Sequence, residues 1–380
     1  MDMAEFLKWA ETAPADLRAS ATHALARAFL DADVDEETRS AMEAALTVLL
    51  DDCSPDVRFA LADALGASPD APRHIVLALA VDQEEIAEAV LSRSPLFIDS
   101  ELVDIVAGAP ESLQTAIAAR ELVSSPVAAA IAEVGDRLAC WRLIDNEAAD
   151  VARVSLRRIA QRFGDEPEMR EHLLTRRKLP PDVHHMLVRR VSDALGELVT
   201  ERAWVPEGRA RELTRDACER ATVAIAAESQ SDELPALVEH LRITGQLTTA
   251  LLLRAVCAGN VPLFETALAV LARIPDTRVK SMVRAGRMSS LKPIYVKAGL
   301  PMMAFEAFAA ALDTCRRIAE EGGPRDRYRF TREMVEGVLA RYRDITDGEV
   351  NELAAMLRRF AADQAREAAR DYARTATAAA

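Results

Sequence analysis

Three observations predict an all-α protein. Apolar residues recur at helical spacing between short breaks rich in Pro, Ser and Asp. In residues 50–65, Val57, Ala60, Leu61, Ala64 and Leu65 fall at i, i+3, i+4, i+7 and i+8, one face of a helix. Half of the 380 residues are hydrophobic but only 4% are aromatic, so Ala and Leu supply the core, which suits close helix packing rather than sheet sandwiches. Strand-like alternation is nearly absent.

The elements follow in order. Residues 1–48 hold amphipathic helices broken near Pro14 and near Asp31, expected to cap the end of a helical array whose terminal face would otherwise lie bare. The next helix opens at Ser54-Pro55-Asp56. Ser54 or Asp56 is expected to accept hydrogen bonds from the first-turn N–H groups, and Pro55 lacks an N–H that would be unpaired there anyway. Asp52 precedes Arg58 by six residues, a spacing that predicts a structural ion pair across the turn. An apolar run over residues 75–80 follows, then Ile86, Ala89 and Val90 at i, i+3, i+4. Further units start near Ser100, at Ser125-Pro126 and at Asp150. Val76, Val103 and Ala129 hold comparable positions and are separated by 27 and 26 residues, a period typical of an α-solenoid. The array is expected over residues 49–203. A longer helix with Val183, Leu187, Val191, Ala194, Leu195 and Leu198 as its stripe is expected to close it.

Residues 204–208 form the clearest break. A helical region over residues 204–345, continuing the solenoid or packing on it, is punctuated by Gly245, Gly259-Asn260, Pro275-Asp276 and Gly299-Leu300-Pro301. A helix from Met302 is expected to stop at Gly322-Gly323-Pro324. Residues 346–380 read as an amphipathic helix with Val350, Leu353, Leu357 and Phe360 as its stripe, Arg358, Arg359, Arg366, Arg370 and Arg374 on its other side, and a frayed tail. That helix has three expected roles: docking on its own chain, self-association with a second copy, or lying on an anionic surface.

The phrases Asp56-Val57-Arg58, Asp70-Ala71-Pro72-Arg73-His74-Ile75-Val76, Arg93-Ser94-Pro95-Leu96 and Leu247-Thr248-Thr249-Ala250-Leu251 carry a resemblance. Residues 56–95 resemble HEAT-type and leucine-rich-variant helical repeats. Residues 15–345 resemble an uncharacterised, mainly proteobacterial HEAT-like family, a domain of unknown function. The resemblance implies a HEAT-like α-solenoid and no activity. Ala87 and Ala152 stand where the first copy has Arg58, so an Asp–Arg ladder along the stack is incomplete.

Charge is unevenly placed. Residues 1–120 hold 8 Lys/Arg against 23 Asp/Glu, and the remainder 39 against 38. Residues 151–192 hold ten basic groups against five acids, and residues 273–297 hold seven against Asp276 alone. An acidic head and locally basic middle can steer an anionic partner or order copies end to end.

Five widely spaced cysteines without a CxxC argue against disulfides or zinc. The acidic start and apolar runs far shorter than the ~20 residues of a membrane span predict no span and a reduced, cytoplasmic protein. There is no phosphate loop, GxSxG elbow or HExxH motif. His184 and His185 are adjacent, so on a helix they point ~100° apart and do not share a metal. No catalytic residue, cofactor or metal ligand is therefore assigned. Trp141, Arg142 and Asp145 have the residue types of a DNA-glycosylase-like lining, with core packing as the ordinary reading. The function expected is a non-catalytic adaptor for a protein partner, with Arg157, Arg158, Arg177, Lys178, His184, His185 and Arg189 as its anion-accepting surface. Reversing Arg177 and Lys178 to Glu is expected to weaken partner binding without unfolding. The alternative is nucleic-acid binding through residues 151–192 and 273–297.

Overall fold

The computed structural model describes residues 3–31, 34–320 and 327–341, together with 355, 357–362, 365–366, 369–370 and 373–374. Every regular element among them is helical. The chain divides into two compact units, Met1–Leu179 and Pro180–Ala380.

In the first unit, α1 (Met3–Ala10), α2 (Ala15–Asp31) and α3 (Glu36–Val48) precede a 3-10 turn at Leu49–Asp51. Next come α4 (Pro55–Leu65), α5 (Arg73–Leu79), α6 (Glu84–Leu91), α7 (Asp99–Gly108) and α8 (Glu111–Ala118). The unit ends with α9 (Ser125–Val134), α10 (Arg137–Asp145), α11 (Arg153–Phe163) and α12 (Pro167–Thr175). Alternate helices are neighbours: α2, α4, α6, α8, α10 and α12 succeed one another in one row, and α7, α9 and α11 in a second. The stripe seen in the sequence is the buried one. Val57, Leu61, Leu65, Ile75 and Leu79 are fully buried, each contributing roughly 2 kcal/mol by removal from water.

The turns are fastened by arginines, one register away from the expected pairing. Asp52 does not pair through its carboxylate with Arg58; both its oxygens accept from Arg18, at 2.8 Å each. Arg58 reaches forward to Asp82 instead (2.6 and 3.0 Å), while its Nη1 donates to the Asp52 main-chain oxygen (2.7 Å). Arg18 does the same one step earlier, donating to the Ala13 carbonyl (2.7 Å). A guanidinium has donors enough to bind a carboxylate bidentately and still take a carbonyl, so each arginine joins its own turn to the next. Further on the carboxylate drops out. Arg120 donates to the Leu91 and Ser94 carbonyls (2.5 and 2.6 Å), Arg162 to Ala132 and Gly135 (2.9 and 2.8 Å), and Arg176 to Ile144 (2.7 Å). These are carbonyls at helix ends, which the helix leaves without partners. The cap of α4 also differs from expectation: the Ser54 side chain makes no capping bond, and Asp52 Oδ1 accepts from the Ser54 N–H (2.8 Å).

The second unit opens with two long helices, α13 (Pro181–Glu201) and α14 (Glu207–Glu228), packed side by side as a hairpin. The break read at residues 204–208 is the turn of this hairpin and lies inside the second unit. Then follow α15 (Leu234–Ile243), α16 (Thr249–Cys257), α17 (Val261–Ala272), α18 (Asp276–Arg284) and α19 (Met288–Lys297). A 3-10 turn at Met302–Ala304 leads into α20 (Phe305–Glu320), and α21 (Arg327–Arg341) follows. The core forms around α16, where Leu251, Leu252, Leu253, Val256 and Cys257 are all buried, and around the stacked rings of Phe264 and Phe308 (4.7 Å between centroids). Leu357 and Phe360 are buried in this same core. These two described members of the C-terminal stripe therefore dock on their own unit. Gly322-Gly323-Pro324, Val350, Leu353 and the tail lie outside the described residues.

Candidate functional site

Of the seven residues expected to form one anion-accepting surface, four belong to the first unit and three to the second. Arg157 and Arg158 are half-buried on α11, and Arg158 Nη2 donates to Glu133 (2.9 Å). Arg177 and Lys178 are exposed in the turn after α12. His184 is half-buried on α13, and burial pushes its imidazole below the usual histidine range. His185 is a correction: it is 1% exposed, and burial, with His240, Arg189 and His184 nearby, holds its pKa at about 3. It stays neutral at physiological pH and takes no part in a basic surface. Much of the remaining basic character of residues 151–192 is also engaged internally, since Arg162, Arg170 and Arg176 donate to main-chain carbonyls.

Arg189 leads to a cavity of the second unit of about 290 Å³, lined among others by Arg189, Asp193, Arg215, Cys218, Glu219 and Gln246. The local chain geometry explains how Gln246 arrives there. α15 ends with Gly245 at φ +70°, the Gln246 N–H bonding back to Leu241 (2.8 Å) and the Gly245 N–H to Arg242 (3.2 Å). This helix stop needs a left-handed residue, which glycine adopts without strain, and it turns Gln246 back toward α13. With its amide nitrogen donating to His185 Nε2 (3.0 Å), the Gln246 oxygen accepts from Arg189 Nε (2.9 Å). Cys218 Sγ lies 3.9 Å from His185 Nε2. A thiol beside an imidazole suggests nucleophilic chemistry, but burial pushes the Cys218 thiol up and the His185 imidazole down. Neither ionises near pH 7, whereas an activated cysteine needs a thiolate. The cluster is a packed polar joint.

Beneath it, Arg254 is 2% exposed and sits between Asp216 (2.9 Å) and Glu219 (3.3 Å), its guanidinium 5.5 Å from the Phe360 ring. Burial pushes the Glu219 carboxyl up while Arg254 pulls it back. The sequence signal for this site was one charge inside the apolar run Leu251-Leu252-Leu253-Arg254-Ala255-Val256, where only a paired cation is tolerated. Among the described residues no group of three or more His, Cys, Asp or Glu side chains is placed to hold a metal. In the first unit, Trp141 stacks face to face on His172 at 4.0 Å, and His172 Nε2 lies 3.1 Å from Asp145. Trp141 and Asp145 therefore join α10 to α12.

The feature least explained by the fold is the outer half of the α13–α14 hairpin. The stripe expected to close the array is buried only at Val183 and Leu187; Leu195 is 53% exposed, Leu198 40%, and Leu213 of α14 45%. In residues 193–213 Ala210 alone is buried. The two helices touch closely: a Cβ at Gly196 would stand 3.1 Å from Thr214 Cγ2. α13 closes with Ala203 at φ 52°, the Trp204 N–H bonding to Val199 (3.1 Å) and the Ala203 N–H to Thr200 (3.0 Å). That stop holds Trp204, 65% exposed, at the tip.

The fold and these sites define an all-helical protein in two units, with no helix among the described residues long and apolar enough to cross a membrane. Residues 86–348 match the family described as "uncharacterised protein conserved in bacteria (DUF2336)", and the chain belongs to it. No curated protein and no solved structure matches the chain.

Proposed function

We propose that this protein is a non-catalytic interaction scaffold whose first unit is a HEAT-like solenoid and whose α13–α14 hairpin docks a protein partner. The hairpin carries the reading. Leu195 and Leu198 continue the spacing of Val188 and Val191 along α13, giving steps of three, four and three residues. That is the seam by which one helix packs into another. Leu195, Leu198, Leu213 and Trp204 are exposed on the hairpin among the exposed charged residues Glu197, Glu201, Arg202, Arg209 and Glu212. An apolar centre with a charged rim is the anatomy of a protein interface. The alternate-helix rows of the first unit and their arginine links support the solenoid reading. Arg177 and Lys178, exposed and close together, remain the proposed anion-accepting part of that unit.

The test is site-specific photo-crosslinking in cells, with the crosslinker at Leu198 or Trp204 and, as control, at Val81 of the first unit, 81% exposed. One partner captured from the hairpin positions and absent from Val81, and binding the purified protein, supports the reading. Equal capture at all three positions contradicts it.

A further inference from the structure

We propose that the outer surface of α18 and α19 docks on an anionic lipid bilayer. Both helices pack on α17, burying Val279 of α18 and Leu291, Ile294 and Tyr295 of α19. Around the rest of their surfaces stand Arg278, Arg284, Lys292 and Lys297, all exposed, with Arg273 and Arg287 in the turns on either side of α18. Asp276 is the one carboxylate in residues 273–303, and Lys280 holds it at 2.6 Å. Arg284 lies near the buried Glu265. The other five cations form no ion pair with any described residue, and the nearest acid that follows is Glu306. Soluble surfaces ordinarily intersperse both signs of charge. Here, on a chain of net charge −14, the exposed surface of one helical pair is left basic.

Apolar side chains beside these cations select the partner. Val296 is 54% exposed, Met302 42% and Met303 38%. The Tyr295 hydroxyl donates to the Pro301 carbonyl (3.0 Å), and the Lys292 ammonium lies 5.8 Å from the Phe305 ring. These contacts bind α19 to the two ends of the 3-10 turn that carries the two methionines. Aliphatic groups ringed by cations fit the headgroup region of a bilayer, where the former enter the acyl boundary and the latter stay at the phosphates. Nucleic acid fits the cations alone. The aromatic rings on which bases would stack are withdrawn, since Tyr295 and Phe305 are buried.

The experiment is co-sedimentation of the full chain with vesicles of phosphatidylcholine alone or with 40 parts in 100 of phosphatidylglycerol, alongside anisotropy with duplex and single-stranded oligonucleotides. We expect binding to the anionic vesicles only, reversed by salt. Each lost cation weakens partition on the order of five-fold, so Lys292→Gln/Lys297→Gln lowers it about twenty-five-fold. Lys292→Arg/Lys297→Arg should bind like the parent, which separates lost charge from a damaged fold. Met302→Ser/Met303→Ser should also weaken vesicle binding. The proposal is overturned by absent binding to anionic vesicles, by equal binding to neutral ones, or by indifference to the Gln pair. Oligonucleotide binding stronger than vesicle binding and unchanged by the Met pair also overturns it.

Discussion

Replacing His185 should lessen the acid sensitivity of the second unit. The imidazole is fully enclosed, and its pKa is held at about 3 against 6.5 in a free side chain. Its folded value is depressed, so its contribution to stability is complete above pH 6.5 and is lost as pH falls toward 3, because the unfolded chain takes up a proton that the native state refuses. With those two values, going from pH 7 to pH 5 costs about 2 kcal/mol, and the slope approaches about 1.4 kcal/mol per pH unit. His185→Gln keeps a polar side chain near Cys218 and cannot titrate. Whatever it costs at pH 7, its stability should fall by about 2 kcal/mol less than the parent's between pH 7 and pH 5. Hydrogen-exchange protection of peptides from α13 and α15, corrected for intrinsic rates, reads this difference directly. Parallel pH profiles for parent and variant would show that His185 protonates as readily in the folded unit as in the unfolded chain, and would refute the argument.

Other outcomes follow from the same contacts. Arg254→Met leaves Asp216 and Glu219 facing a buried gap and should destabilise the second unit by about 3 kcal/mol, with Arg254→Met/Glu219→Gln recovering part of it in urea melts. A double-mutant cycle on Arg58 and Asp82, whose side chains are 13% and 16% exposed, should return a coupling of about 1 kcal/mol. The same cycle on Asp52 and Arg58 should give much less, since Asp52 gives its carboxylate to Arg18. Arg177→Glu/Lys178→Glu should leave the melting temperature within a degree or two, because both side chains lie in solvent, while weakening the binding of an anionic partner to the first unit.

How far the sequence is legible depends on whether a feature is local. The helix at Pro55–Leu65 and its buried face follow from spacing alone, because period 3.6 states which side is apolar and burial then follows. The register of the arginine links does not. Asp52 and Arg58 are near in sequence, but a guanidinium that also takes a carbonyl finds its carboxylate in the next turn, 24 residues on. The longest helices show the opposite limit. A stripe running from Val183 to Leu198 predicts a covered face, yet the chain covers only its first half. Periodicity reports that a surface is apolar and says nothing of what lies on it. His184 and His185 read alike in sequence, yet one is half-exposed and the other enclosed, because 100° of helical turn separates them. Arg254 was legible in principle, as a lone charge among leucines, although its partners Asp216 and Glu219 lie more than thirty residues away.

The most direct test of the scaffold reading is the affinity of the crosslinked partner for the parent protein and for Leu195→Asp/Leu213→Asp. Both positions are about half exposed, so the pair should change unfolding free energy by less than about 1 kcal/mol. Desolvating two carboxylates in the centre of an interface should weaken binding at least a hundred-fold. The account predicts that loss with an unchanged melting curve. An affinity within two-fold of the parent would contradict it, and would remove the hairpin as the docking surface.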